Sequence, residues 1–282
     1  MISRRHFLIA AGAPAALFAQ AKAAPRAGCQ ANGFVLTAGD FAALLSALGK
    51  MKELGYAGFE CNVRFVRGQF ARSREARDQI EQTGIRFIGA HMSVLEARPD
   101  VFPGVTQGVA ALGAECIVMS AAGLSPAGKF EPEALRAKAA KLEALAKTCH
   151  ENGLRLAYHN HNPEFANHNA EMEALAGATS AELVDFLVDA GHGYLGGGNP
   201  AEFLERHSAR ILGVHLKTFR GSSESGQVPL GQGDFDFQDL ARAVKRTGWA
   251  GWLIVEEGGG PTPGNTAALG PDREYIRRVF GV

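Results

Sequence analysis

The chain is 282 residues long and carries 29 basic and 29 acidic residues, so its formal net charge is zero. This balance argues against electrostatic capture of nucleic acid, which favours a basic face on the protein. No C-x-x-C motif occurs among the four cysteines, which are Cys29, Cys61, Cys116 and Cys149. We therefore expect buried free thiols rather than a disulfide framework, although one bridge stays open as an alternative.

The first 24 residues have the composition of an export signal rather than of a folded domain. Arg4 and Arg5 precede a short apolar run over residues 7–18, and small residues follow at 21–24. This order is typical of a secretory signal, and the apolar run is too short to span a bilayer. The arginine pair resembles a bacterial twin-arginine signal; an ordinary secretory signal and a retained anchor are the alternatives. We expect residues 25–282 to form a periplasmic or secreted protein.

After the signal, short apolar segments alternate with amphipathic segments along the whole chain. Apolar residues recur at helical spacing, most clearly over residues 41–54 and 135–149. Glycines such as Gly55 and Gly153 stand just before apolar segments, where a helix would end in the left-handed conformation. Eight apolar segments are strand candidates, at residues 26–30, 58–62, 87–92, 116–120, 154–161, 183–189, 211–218 and 252–256.

The spacing of these segments predicts the fold class. They start roughly 28 to 41 residues apart, and such repeated units imply parallel strands joined by helical crossovers. Eight units close into a barrel of about 250 residues, whereas a doubly wound open sheet is the main rival. No Gly-x-Gly-x-x-Gly follows the first strand, so the sequence does not support a dinucleotide site. We predict an α/β fold, a single-domain (β/α)8 TIM barrel over residues 25–282.

Residues of the types that bind metals stand at the ends of the last four predicted strands. They are His159, Asp189, His215 and Glu256. In parallel βα folds these ends share one face, and unpaired charges are costly to bury there. We predict that the four residues bind one divalent cation, with Mn²⁺, Co²⁺, Fe²⁺ or Zn²⁺ preferred over Ca²⁺. Taken singly, each has a plainer role as a loop histidine, a helix cap or a surface ion-pair partner.

Five segments of the sequence, taken in order, resemble one enzyme family. They are residues 158–165 (YHNHNPEF), 189–192 (DAGH), 214–217 (VHLK), 228–237 (VPLGQGDFDF) and 253–257 (LIVEE). Together they resemble the sugar phosphate isomerase/epimerase family of xylose-isomerase-like TIM barrels. That superfamily also includes ketose 3-epimerases, inosose dehydratases and DNA repair enzymes of the endonuclease IV type. The resemblance covers essentially all of the predicted mature chain.

The resemblance implies one bound divalent metal ion, with Mn²⁺, Co²⁺, Zn²⁺ and Mg²⁺ as candidates. Ketose epimerases use ligands in the order Glu, Asp, His, Glu, and the last three match Asp189, His215 and Glu256. His159 stands where those relatives have the first glutamate, and Glu164 follows five residues later. Either residue is a candidate for the fourth ligand, and the register of the strand favours His159.

Such a site implies a reaction that begins with removal of a proton. A metal that polarises a carbonyl and an adjacent hydroxyl stabilises the charge left when a proton leaves the neighbouring carbon. The candidates for the base are Glu164, His161 and His192. Lys217 is the candidate for stabilising a developing oxyanion.

Two further residues are expected to contact the substrate. Glu60 and His91 end the second and third predicted strands, so they should line the same pocket, although His91 is equally suited to a satisfied barrel position. The Gly-rich segment 228–233 lacks the lysine of a phosphate-binding loop and is interpreted as a connecting loop.

The leading functional prediction is a metal-dependent isomerase or epimerase acting on a sugar or polyol. The alternative is a lyase or hydratase acting on a keto-sugar or 3-keto-glycoside, which fits an exported enzyme because phosphorylated sugars are scarce outside the cytoplasm. A non-enzymatic sugar-binding protein would not need the metal cluster, and neutral charge argues against DNA repair. We expect a small carbohydrate as the partner, no nucleic acid and no stable membrane insertion. The oligomeric state stays open.

Overall fold

The computed structural model describes residues 24–121, 123–124, 129–259 and 263–282, so the predicted export signal lies outside them except for Ala24. The strands are β1 Arg26–Gln30, β2 Gly58–Asn62, β3 Arg86–Ser93, β4 Cys116–Ser120, β5 Arg155–His159, β6 Val184–Asp189, β7 Ile211–Leu216, β8 Thr218–Phe219, β9 Gln227–Val228 and β10 Trp252–Val255. The α-helices are α1 Phe41–Glu53, α2 Val63–Val66, α3 Ser73–Gln82, α4 Phe102–Ala111, α5 Pro132–Glu151, α6 Asn162–Ala178, α7 Ala190–Leu195, α8 Pro200–His207, α9 Gln238–Thr247 and α10 Leu269–Phe280.

Eight parallel strands close into a barrel in the order β1-β10-β7-β6-β5-β4-β3-β2. The closing contact pairs the first strand with the last, with Arg26 opposite Trp252 and Cys29 opposite Val255. An open sheet would leave these two strands as unpaired edges. The predicted single-domain (β/α)8 TIM barrel is therefore confirmed, and the doubly wound alternative is excluded.

The predicted strand segments differ from the observed strands mainly at their carboxyl ends. The fifth ends at His159 rather than at residue 161, because α6 begins at Asn162. The seventh ends at Leu216, and Thr218 instead pairs with Val228 in a small antiparallel hairpin, β8 and β9. Both differences place the polar residues that follow these strands in the mouth of the barrel.

Apolar side chains fill the lower part of the barrel. They form one cluster of Ile88, Cys116, Val118, Ala157, Leu187, Trp252 and Ile254. The indole of Trp252 needs the space that glycine leaves, because a Cβ at Gly58 would lie 2.7 Å from its ring. The lumen is thus a packed core rather than a pore, as is usual for this architecture. The candidate metal-binding side chains lie above this core.

The four cysteines are all buried free thiols, as the sequence predicts. Burial raises the pKa of each thiol, to about 12 for Cys149, so these side chains stay protonated and inert. Within the described part of the chain, no helix has both the length and the apolar character required to cross a membrane.

Two carboxyl groups are buried together beside the last barrel strand. Glu257 follows β10, and Asp272 lies in the first turn of α10, where its Oδ1 accepts a hydrogen bond from the backbone N–H of Leu230 at 2.8 Å. Burial and the neighbouring Asp272 carboxylate raise the pKa of Glu257 to about 9. Burial also raises the pKa of Asp272, to about 6. The folded protein therefore retains a proton here at neutral pH.

This pair predicts a decline of stability with rising pH. Because the pKa of Glu257 is higher in the folded state than in the unfolded chain, the free energy of unfolding should fall as pH rises from about 4.3 towards the folded pKa. Glu257→Gln keeps the side chain neutral, so its unfolding free energy, measured by urea denaturation between pH 5 and 9, should fall less steeply. The exposed Glu182→Gln is the matched control and should follow the wild type. Equal slopes for wild type and Glu257→Gln would contradict the assignment.

Candidate metal centre

The predicted metal ligands project from one layer directly above the apolar core of the barrel. Successive strand residues alternate between the lumen and the helices, so each polar residue stands two positions after a residue of the layer below. Ala157 precedes His159 in this way, and Leu187 precedes Asp189. The same spacing relates Gly58 to Glu60, Gly213 to His215 and Ile254 to Glu256. The alternation of side chains along each strand therefore brings these polar residues into one layer of the lumen.

Within this layer, three predicted ligands come together and a fourth lies beside them. One side-chain atom each from His159, Asp189 and His215 lies within 4.8 Å of the others, and all three residues are buried. His215 Nδ1 lies 4.0 Å from Asp189 Oδ2 and 2.6 Å from Glu256 Oε2. Ligands about 2.1 Å from one ion lie roughly 3–4 Å apart, so the 4.0 Å separation suits a shared cation, whereas the 2.6 Å contact is a direct ion pair.

The hydrogen bonding of the cluster fits the same cation. Asp189 Oδ2, His215 Nδ1 and Glu256 Oε2 are buried and form no hydrogen bond of regular geometry among the described residues, and their polar contacts are ion pairs with one another and with Lys217. Such buried polar atoms are costly unless something satisfies them. Burial lowers the pKa of His159 well below its usual value, which keeps that imidazole neutral and able to bind a metal. The residues present therefore fit a divalent ion with mixed imidazole and carboxylate ligands.

Glu60 lies behind this cluster. Its carboxylate is buried, with Oε2 3.0 Å from His215 Nε2 and Oε1 3.2 Å from His91 Nδ1. Burial disfavours the charged form, but His215 and His91 lower the pKa of Glu60. A carboxylate on the far nitrogen of a ligand histidine fixes its ring orientation. Glu60 is fully buried and is not among the residues that line the pocket, so in this structure it contacts His215 and His91, and its predicted substrate contact stays a prediction.

His215 itself carries a proton when no cation is bound. Burial disfavours the imidazolium, but the carboxylates of Glu60 and Glu256 raise the pKa of His215 to about 10. Lys217 supplies a second positive charge, with Nζ 2.9 Å from Asp189 Oδ2 and 3.1 Å from Glu256 Oε2. Three buried carboxylates, those of Glu60, Asp189 and Glu256, are thus paired with only two buried cations.

The other predicted catalytic residues divide into two groups. His161 and His192 line the pocket with His159 and His91, and the imidazole centroids of His161 and His192 are 5.2 Å apart. Glu164 is not brought to the cluster. Its Oε1 accepts a hydrogen bond from Tyr158 at 2.7 Å, and its Oε2 accepts one from the backbone N–H of His161.

The direction of Glu164 has a simple cause. Tyr158 and His159 are consecutive in β5 and therefore point to opposite sides of the barrel wall. Because Glu164 pairs with Tyr158, its buried carboxylate lies on the helix side of the strand, where the ammonium of Lys138 is 3.8 Å away. In this arrangement Glu164 supplies neither a metal ligand nor a base in the pocket.

The pocket above the cluster also contains residues that the sequence analysis did not single out. It has a volume of about 530 Å³. Asn32 follows β1 and donates from Nδ2 to Glu256 Oε1 at 3.3 Å. Asn162, the first residue of α6, lies beside this pocket, with its Oδ1 2.6 Å from Nδ1 of the lining residue His192. An apolar outer wall is formed by Phe34, Leu36, Phe65 and Phe219. Of these residues, only Asn162 lies in one of the five segments that resemble the enzyme family, so the sequence offered no indication of the others.

The cluster predicts which substitutions remove the metal. After incubation with Zn²⁺ and removal of free ions, elemental analysis should find about one ion per chain in the wild type. Asp189→Ala and His215→Ala should lose the ion, and His159→Ala should bind it more weakly, because each removes a converging ligand atom. Glu164→Gln is the control and should retain it. Loss of zinc in Glu164→Gln, together with full occupancy in His159→Ala, would reverse the assignment of the fourth ligand.

Proteins similar in sequence to this chain include a rhizopine catabolism protein and an inosose dehydratase. The rhizopine catabolism protein MocC of Rhizobium meliloti is 31% identical over 149 residues, which cover 47% of this chain and 46% of that protein. An inosose dehydratase of Clostridium botulinum is 27% identical over 200 residues, which cover 61% of this chain and 67% of that enzyme. The chain thus spans about half the length of the first relative and two thirds of the second.

Solved structures with the same fold include an epimerase and a zinc-bound protein. An L-ribulose 3-epimerase superposes with a TM-score of 0.74 at 17% identity, covering 91% of this chain and 95% of that one. The IolI protein with a bound zinc atom has a TM-score of 0.72 at 15% identity, covering 91% and 98%. At these identities the likeness establishes the fold alone. Residues 48–279 match the family model for the xylose isomerase-like TIM barrel, and the chain therefore belongs to that family.

Proposed function

We propose that this protein is a metal-dependent lyase of the dehydratase type, acting on a keto-sugar, a keto-polyol or a 3-keto-glycoside. The observation that carries the proposal is the pair of neighbouring imidazoles, His161 and His192, on one wall of the pocket beside the metal cluster. The inosose dehydratase relatives, at 27% to 29% identity, support the same reaction class. When bound, a divalent ion would supply Lewis-acid polarisation of the substrate carbonyl.

The two imidazoles provide the proton transfers that an elimination requires. One side chain removes the proton from the carbon next to the carbonyl, and the bond from the following carbon to its oxygen substituent breaks. The other donates a proton to that oxygen, which leaves as water or as an alcohol. Burial lowers the pKa of His192 despite the nearby Asp189, so its ring is neutral at pH 7 and able to accept a proton.

The arrangement of these groups favours elimination over epimerisation. Epimerisation needs acid–base groups on opposite faces of one carbon, whereas His161 and His192 stand side by side on one wall. The isomerase or epimerase predicted from the sequence shares the first proton removal and differs only in where a proton returns. It is the competing outcome of the experiment below, and the fold of the L-ribulose 3-epimerase is compatible with it.

The charges in the pocket favour an unphosphorylated substrate. Among its described lining residues, the basic side chains apart from histidine are Lys217 and Arg64. Lys217 is already paired with Asp189 and Glu256, and the Arg64 guanidinium lies over the ring of Phe65 at 4.8 Å. A phosphate would need several free cationic or N–H donors. The apolar outer wall suits the less polar part of a keto-glycoside.

Deuterium incorporation distinguishes the candidate reactions. The Mn²⁺-loaded and Zn²⁺-loaded protein would be incubated in D₂O with an inosose, a 3-keto-glycoside and a free ketohexose, and products would be followed by mass spectrometry. We expect loss of water or of the aglycone from one of the first two. Deuterium next to the carbonyl without loss of mass would instead indicate epimerisation or isomerisation. Absence of both changes would contradict proton removal.

Substitution of the imidazoles tests the residues that carry this proposal. His161→Asn and His192→Asn should each lower the turnover rate by about 100-fold or more, because each removes a group that transfers a proton. His207→Asn is the matched control, since His207 pairs with Glu173 away from the pocket. Unchanged turnover in both pocket variants would reject the acid–base assignment.

We also propose that the protein is exported by the twin-arginine route. The support is the Arg4-Arg5 pair ahead of the apolar run in residues 7–18. Residues 1–24 fused to a reporter that folds before export should deliver it to the periplasm, and replacing both arginines with lysine should abolish delivery. Undiminished export by the double-lysine variant would favour an ordinary secretory signal.

A further inference from the structure

A line of polar contacts connects the rim of the pocket with the metal cluster through His192. Asn162 donates from Nδ2 to Glu224 Oε1 at 3.1 Å, and its Oδ1 lies 2.6 Å from His192 Nδ1. On the other side of the ring, Lys217 Nζ lies 3.1 Å from His192 Nε2. We propose that Glu224 and Asn162 are positioning residues that hold His192 in the tautomer with its proton on Nδ1 and its lone pair on Nε2.

The tautomer follows from what each group can donate and accept. An ionised carboxylate only accepts hydrogen bonds, so the amide nitrogen of Asn162 must face Glu224. The amide oxygen then faces His192, and because that oxygen also only accepts, Nδ1 must carry the hydrogen. The lysine ammonium only donates, which requires a lone pair on Nε2. The contacts on both sides of the ring therefore specify the same tautomer.

The alternative orientation of the amide is unfavourable. Rotating the Asn162 side chain by 180° would place its oxygen against Glu224 Oε1 and its NH₂ group against His192 Nδ1. Two acceptors would then face each other at 3.1 Å, while the ring would need its lone pair on Nδ1. Nε2 would consequently carry hydrogen towards the ammonium of Lys217, where two donors would meet.

The backbone around Asn162 is held in place from two sides. A Cβ at Gly196 would lie 2.1 Å from the backbone oxygen of Asn162, so glycine permits this close approach after α7. Further along α6, residues 167–169 adopt left-handed conformations at φ values of 50°, 60° and 64°. Asn169 then exchanges hydrogen bonds with the backbone of Asn199, accepting from its N–H at 2.7 Å and donating to its carbonyl at 3.0 Å.

Glu224 brings a separate segment of the chain into this arrangement. It begins the short turn between β8 and β9, and its side chain is 41% exposed at the rim of the pocket. His192 is buried at the other end of the contact. The hairpin is therefore coupled to the orientation of a pocket imidazole that lies 32 residues before Glu224 in sequence (224 − 192). Neither the family motifs nor the metal cluster requires an acid at this position.

The consequence for catalysis rests on the proposed function. With hydrogen on Nδ1, the lone pair on Nε2 accepts from the Lys217 ammonium in this structure, and a substrate proton would be taken up at Nε2 in exchange for that contact. Asn162 then accepts the hydrogen bond of the imidazolium that forms, and Glu224 stabilises its charge from 3.7 Å. The opposite tautomer would present N–H to the cluster and have no lone pair there.

The tautomer can be measured without substrate. The ¹⁵N-labelled, Zn²⁺-loaded full chain would be studied at pH 7.5 by long-range ¹H–¹⁵N correlation of its imidazoles, with the His192 signals identified by their loss in His192→Asn. We expect the pattern of hydrogen on Nδ1. A pattern of hydrogen on Nε2, or of an imidazolium, would overturn the proposal. Because no turnover is needed, this result stands apart from success or failure of the proposed lyase reaction.

Two variants test the positioning roles. Asn162→Leu removes the acceptor of the Nδ1 hydrogen, and Glu224→Gln removes the group that fixes the amide orientation. Each should shift the His192 nitrogen signals and lower kcat by about 10-fold or more, with a smaller change in KM. Glu173→Gln, which removes the partner of His207 elsewhere on α6, is the matched control and should change neither. If Asn162→Leu fails to fold, the proposal is tested by the His192 tautomer of the wild type and by the His192 nitrogen signals of Glu224→Gln. Unshifted His192 signals in Glu224→Gln would overturn its role.

Discussion

The site depends on the balance of charge in the mouth of the barrel. Glu60, Asp189 and Glu256 are all buried there, and isolated carboxylates in such surroundings are strongly destabilising. His215 lies between two of them, and Lys217 contacts Asp189 and Glu256. Removal of either cation leaves unpaired buried charge, so these residues stabilise the fold as well as the site. The candidate metal ligands thus also form part of a buried ion-pair network.

Closure of the barrel makes this arrangement possible. Glu60 follows Gly58 in the second strand, whereas His215 lies in the seventh, and the first and last strands stand between them. The contact between their side chains spans the lumen of a closed sheet. Glycines add close approaches that larger residues would prevent, as at Gly191, where a Cβ would lie 2.2 Å from the backbone oxygen of Lys217. The closed sheet and the glycines at close contacts are therefore both needed to bring these polar side chains together.

Periodicity and position within the strands were sufficient to predict the barrel and the convergence of His159, Asp189 and His215 at its mouth. The eight apolar segments and the residues at their ends are local properties, and alternation along a strand determines which side chains share the lumen. The partners of Glu60 and Glu164 were not predictable in this way, because each depends on a rotamer and on a residue from another element. His159 and Glu164 were both candidates for the fourth ligand, with the strand register favouring His159, and the hydrogen bond from Tyr158 holds the Glu164 carboxylate away from the cluster. The tautomer of His192 required three distant residues, which spacing along the sequence does not reveal.

The apolar floor beneath the site also bears on the order of events in a catalytic cycle. Trp252 packs against Gly58 and closes the lower lumen, so the pocket opens only at the carboxyl ends of the strands. In the proposed elimination, a substrate with its carbonyl at the metal cluster would lie at the closed end of the pocket, and the expelled group would lie nearer the mouth. On that proposal the expelled group would leave first and the unsaturated ketone second. The two products should then give different patterns of inhibition. Only the product that leaves last, the unsaturated ketone, would compete with substrate for the free protein.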